Sequence, residues 1–132
     1  MRVGTTWWSL EPRPGWLAVD DPECLTLTKS DQGAFQLSAA RRPEAAAELA
    51  ELRHAAEGEK ELMGAPFPVV VGGFHGFSVS YSLDGVFWRR WWLARGRLWI
   101  FATYNGAPVA RVLEEPEVEG MLATLRAEDG VA

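Results

Sequence analysis

Two histidines, one cysteine and a group of glutamates are the side chains here that could ligate or catalyse. His75 lies in Gly72-Gly73-Phe74-His75-Gly76-Phe77. A titratable ring in a glycine-rich segment could belong to a small-molecule or hydrolytic site. The plainer reading is a turn leading into a strand. A phosphate cradle is excluded, because such loops end at a helix N-terminus and this one runs into the alternating Phe77-Ser78-Val79-Ser80. His54 stands beside Arg53 and between Glu51 and Glu57, so it reads as part of a solvated helix face. Cys24 has Asp20, Asp21 and Glu23 near it, and one thiol beside carboxylates is not a metal-ligand set. Serine hydrolysis needs an activated hydroxyl, and Gly-x-Ser-x-Gly is absent. Glu114, Glu115, Glu117 and Glu119 resemble paired carboxylates, yet a helix beginning at Pro116 would place them where negative charge favours the macrodipole. No catalytic residue, metal or cofactor is expected.

The other chemistry is recognition. Residues 74–104 hold ten of the fifteen aromatic side chains, and Trp88-Arg89-Arg90-Trp91-Trp92 is their densest part. Tryptophan and arginine dominate binding hot spots, so these five residues and His75 are the candidate binding residues. Interleaved arginine and aromatic rings also hold single-stranded nucleic acid. The charge balance opposes that use: net charge is -5, and six acids from Glu114 onward could neutralise the arginines of residues 86–113. The partner expected is therefore another protein, with a second copy of the chain as one option, and neither nucleic acid nor membrane. Tryptophan as plain core is the competing interpretation.

Those residues need a frame. A chain of 132 residues forms one domain and can bury roughly two thirds of its unfolded surface. A single cysteine permits no internal disulfide, the N-terminal residues show no apolar signal region, and no apolar run reaches a membrane span's length. A cytoplasmic location is expected.

Strands are expected at Thr5–Leu10, Leu17–Val19, Leu25–Lys29 and Ala34–Ala40, with Asp20-Asp21-Pro22 as a turn. Pro43 opens a helix carrying an apolar stripe of Ala45, Leu49, Leu52 and Ala56, with Glu44, Glu48, Glu51 and Arg53 opposite. It ends at Gly58 or frays towards Met63, and residues 64–68 form a loop. A meander follows at Phe74–Leu83, Val86–Ala94 and Arg97–Tyr104, with Asp84-Gly85 as its first hairpin turn. The terminal helix starts at Pro116 and aligns Val118, Met121, Leu122 and Leu125. In the second meander strand Trp88 and Trp92 oppose Phe87, Trp91 and Leu93, so both faces are apolar and both need cover. The fold expected is α+β: a mainly antiparallel twisted sheet of about five to seven strands with helices on both faces.

That succession resembles the Mog1/PsbP-like α/β/α sandwich. The residues carrying the likeness are Trp92-Leu93, then Leu98-Trp99-Ile100-Phe101-Ala102-Thr103-Tyr104, then Met121-Leu122 and Leu125. The resemblance implies a bacterial protein that is a non-enzymatic binding or accessory module; the absent catalytic set and the surplus of tryptophan and arginine lead to the expectation of an adaptor or a toxin-immunity protein. The small GTPase or photosynthetic complex bound by its best-known members cannot be carried over, since their contact residues have no match here.

Overall fold

The computed structural model describes residues 1–20, 24–42, 49–57, 66–128 and 130–131. In chain order the strands come first: β1 (Val3–Gly4), β2 (Trp8–Leu10), β3 (Leu17–Asp20), β4 (Leu25–Thr28) and β5 (Gly33–Arg41). Helix α1 (Leu49–Glu57) follows, then β6 (Phe67–Val71), β7 (Phe74–Leu83), β8 (Val86–Arg95) and β9 (Leu98–Gly106). Helix α2 (Pro108–Leu122) and β10 (Arg126–Ala127) complete the described elements.

Seven strands make one sheet in the order β3-β4-β5-β9-β8-β7-β6, and every neighbouring pair is antiparallel. The α+β class and the mainly antiparallel sheet are as expected. The meander forms as expected too, because Asp84 and Gly85 both adopt positive φ (51° and 78°), matching the right-handed twist of the flanking strands. A second sheet, β1-β2-β10, was not expected; it pairs Ser9 with both Gly4 and Arg126.

Register sorts the aromatic residues. Trp91 and Leu93 pair with Ala102 and Ile100, and that face packs with Phe35, Leu27 and the α2 residues Val118, Met121 and Leu122. Trp92 and Ala94 point the other way and pack with Phe77, Val79 and the α1 residues Leu52 and Ala56. The expected stripe positions Leu52 and Ala56 are fully buried. Pro43, Glu44, Ala45, Glu48, Gly58 and Met63, and the Asp21-Pro22 part of the early turn, lie outside the described residues.

Three expectations are corrected. The terminal helix starts at Pro108, and Pro116 is inside it. A proline there removes the bond to the Val112 carbonyl. The loss falls on the outer face, where Val112 and Pro116 are exposed, so water can take that carbonyl. The glutamates then lie in the middle and second half of the helix, whose first turn contains no acid. Strand β6 occupies what reads as loop at Phe67-Pro68; it is an edge strand, where a proline costs no ladder bond on the open side. Finally, the first expected strand divides, because Thr5 N–H donates to the Trp8 carbonyl at 2.8 Å and closes a turn between β1 and β2.

Trp99 illustrates an incomplete fit. Among the described residues its buried Nε1–H finds no acceptor, although its ring packs on Phe101 at 5.7 Å and lies under the Arg42 guanidinium at 5.9 Å. An unpaired buried donor costs about 1–3 kcal/mol. Trp99→Phe keeps the ring contacts and removes the donor, so urea denaturation should place the variant within about 1 kcal/mol of wild type despite the lost area. A loss above about 3 kcal/mol, the range of a large core truncation, would contradict this account.

Candidate functional site

The six candidate residues do not form one surface. Arg89 and Trp91 are on the face beneath α2. Arg89 Nε donates to Ser78 Oγ at 2.9 Å and its Nη1 lies 3.3 Å from Glu115 and 3.6 Å from Glu119. Its guanidinium stands 4.7 Å from the Trp91 ring centroid. Trp91 is 1% exposed and meets Phe35 edge-on. Arg111 binds Glu115 from the other side at 3.0 Å. The acids of α2 therefore neutralise this part of the basic hairpin.

Trp88, Arg90 and Trp92 are on the opposite face. Trp92 is buried under α1. Trp88 is half-buried, with Tyr81 parallel to it within 4° at 6.2 Å and Arg90 5.5 Å from its ring centroid. Arg90 Nε donates to Tyr81 Oη at 3.1 Å, which ties these three side chains together. His75 is exposed on β7, opposite Val70 and Ala94. The cleft beside it, about 200 Å³, is lined by Pro68, Val69, Val70, Gly76 and Phe77, and none of these is acidic.

A different site emerges at the N-terminal half of α2. The helix buries Glu114, Val118, Met121 and Leu122 along one stripe. This turns Val109, Val112 and Leu113 outward, at 71%, 73% and 69% exposure. These three occupy i, i+3 and i+4, so they adjoin on one face. Val109 and Leu113 also form one wall of a cleft of about 400 Å³, whose other wall is Lys29, Ser30, Asp31 and Gln32.

Glu114 fixes this wall. It is 3% exposed and accepts hydrogen bonds from Tyr104 Oη and Ser30 Oγ, both at 2.8 Å. Burial first, then the bond to Glu114 and its charge, push the Tyr104 phenol well above its ordinary value, so it stays a proton donor. One turn on, Glu117 accepts from Lys29 and from Trp16 Nε1, and these bonds hold its carboxyl below the usual range. The sequence did contain a signal for Glu114: it lies four residues before Val118 on the same buried stripe.

Among the described residues no three His, Cys, Asp or Glu side chains converge as a metal site, and no helix is long and apolar enough to cross a membrane.

No protein-family model matches the chain, and no curated protein matches it. Solved structures do. A Bacteroides thetaiotaomicron protein, 17% identical, superposes with a TM-score of 0.68 over 94% of this chain. This chain spans 46% of that protein's length. PA94 of Pseudomonas aeruginosa, described as a protein of unknown function, is 14% identical with a TM-score of 0.49, over 83% of this chain and 94% of its own. At such identities the likeness to the Bacteroides protein concerns fold alone.

Proposed function

We propose that this chain is a non-catalytic protein-binding module, an accessory protein of the adaptor or toxin-immunity kind, and that α2 presents its docking surface. The observation that carries this reading is the Val109-Val112-Leu113 stripe. Three branched aliphatic side chains about 70% exposed and adjacent on one helix are costly in water. Burial against a partner's apolar groove or helix relieves that cost, with Lys29, Asp31 and Arg111 as a polar rim. In the same reading the layers form an α/β/α sandwich of the Mog1/PsbP kind, since α1 and α2 pack on side chains of opposite parity in β8.

The test places a photo-crosslinking residue at Val112 in cells and identifies the captured protein. Val109→Asp and Leu113→Asp should then weaken that complex at least tenfold, while stability shifts by no more than about 0.5 kcal/mol because both sites are solvated. Unchanged affinity in the purified pair would sink the reading. Sedimentation of the purified chain separates a foreign partner from a second copy.

A further inference from the structure

We infer that the β3 edge of the seven-stranded sheet is a self-association surface, where a second copy of this chain pairs β3 against β3, antiparallel about a two-fold axis at Ala18. β3 is the last strand on its side of the sheet, and all four of its residues, Leu17–Asp20, are exposed. An edge strand presents backbone N–H and C=O groups to any strand that can align with them. Pairing with β4 puts Ala18 and Asp20 on the face of the buried Leu27 and Leu25. Leu17 and Val19 therefore share the opposite face, beside Thr28 and Thr26, and are 73% and 62% exposed. Two aliphatic side chains along an open edge are what an added strand covers.

The strand is complementary to itself. With Ala18 opposite its own counterpart, Leu17 of each copy stands opposite Val19 of the other, and parity keeps all four on one face. Asp20 then lies opposite Trp16, so no like charges oppose each other across the joint. The contact is isologous and closes at two copies. The other edge of the sheet does not compete with it. In β6 the exposed Phe67 and Val70 lie on opposite faces, so they offer no continuous apolar row. Pro68 between them has no N–H to give a further strand.

A strand of four residues falls short of the roughly 800 Å² per partner that a standard stable interface buries, so the dimer is reversible. Each copy brings its own α2 stripe, since α2 packs on β5, β8 and β9. Pairing at β3 makes that stripe bivalent, which strengthens its hold on a partner with two sites without any new contact.

Sedimentation velocity of the purified chain from about 10 μM to about 1 mM should show a dimer fraction that rises with concentration. Val19→Lys, at an exposed position, should keep its tryptophan circular dichroism and weaken the dimer about tenfold or more. Leu113→Asp should dimerise as wild type does, which separates this edge from the α2 surface. In a Cys24→Ser background, oxidation of Ala18→Cys should trap a covalent dimer, because opposed Cα atoms on antiparallel strands are about 5 Å apart. Leu17→Cys should not, since the two copies of residue 17 would be about 8 Å apart. A chain monomeric throughout that range, or equal dimerisation by folded Val19→Lys, would overturn the proposal. Crosslinking at residue 17 that matches crosslinking at residue 18 would do the same. So would loss of the dimer in Leu113→Asp, for self-association would then belong to α2.

Discussion

Glu114→Ala should lower the unfolding free energy by about 3 kcal/mol, or roughly 10 °C in Tm for a domain of this size. The substitution removes the acceptor for two hydroxyls at once. Tyr104 is fully buried, so its O–H would lose its acceptor, and the space left by the carboxylate would add a cavity cost. Glu114→Gln keeps an acceptor oxygen and should cost about 1 kcal/mol. Tyr104→Phe leaves the carboxylate bound to Ser30 alone and should fall between the two. Urea denaturation followed by tryptophan fluorescence ranks the three variants. If Glu114→Ala were no worse than Glu114→Gln, the buried pair would not be what anchors α2 to β9.

The second large effect concerns Gly76, next to His75. Gly76 stands opposite Leu93 where β7 pairs with β8. A Cβ at this position would be driven into the Trp92 carbonyl oxygen, with the Trp92 carbonyl carbon at 2.9 Å and the Leu93 Cα at 3.1 Å. All of these are backbone atoms of the paired strand, so nothing can move aside without parting the central hairpin. Gly76→Ala should therefore cost about 4 kcal/mol or more, seen as a collapse of the denaturation midpoint or as insoluble expression. His75→Ala, at the adjacent exposed position, should change stability by less than about 0.5 kcal/mol. Equal, mild effects of both would mean that this segment yields, as a binding loop would.

The sheet was legible because its strongest signals are local. Alternation in Phe77-Ser78-Val79-Ser80 and the Asp84-Gly85 turn determine β7 and its partner without knowledge of anything distant. The two apolar faces of β8 likewise followed from parity alone. The site was not legible, and one residue accounts for much of the failure. Pro116 reads as a helix start, since proline suits a first turn, but it is equally tolerated where the freed carbonyl meets water. Placing the start eight residues late hid the outward stripe at Val109, Val112 and Leu113, and made Glu114 look like a solvated N-terminal acid. Strand β6 escaped because an edge strand takes its order from the neighbour it pairs with, not from its own alternation. Trp88, Trp91 and Trp92 are identical as residue types, so only the positions of α1, α2 and Tyr81 decide what each one faces.

The β1-β2-β10 sheet bears on how this fold is reached. Its central strand pairs at Ser9 with Arg126, a closure spanning almost all of the chain. Trp8 and Leu10, flanking Ser9, are both buried in the larger core, so that core is incomplete until the closure is made. Ordering so long a loop is costly in entropy before any contact offsets it, which places the step late and makes it slow. On the ribosome, β2 must wait unpaired with β10 until residue 127 has emerged, and Trp8, 1% exposed in the finished fold, waits with it. The seven-stranded sheet would then be the early-formed unit and the small sheet the clasp that commits it.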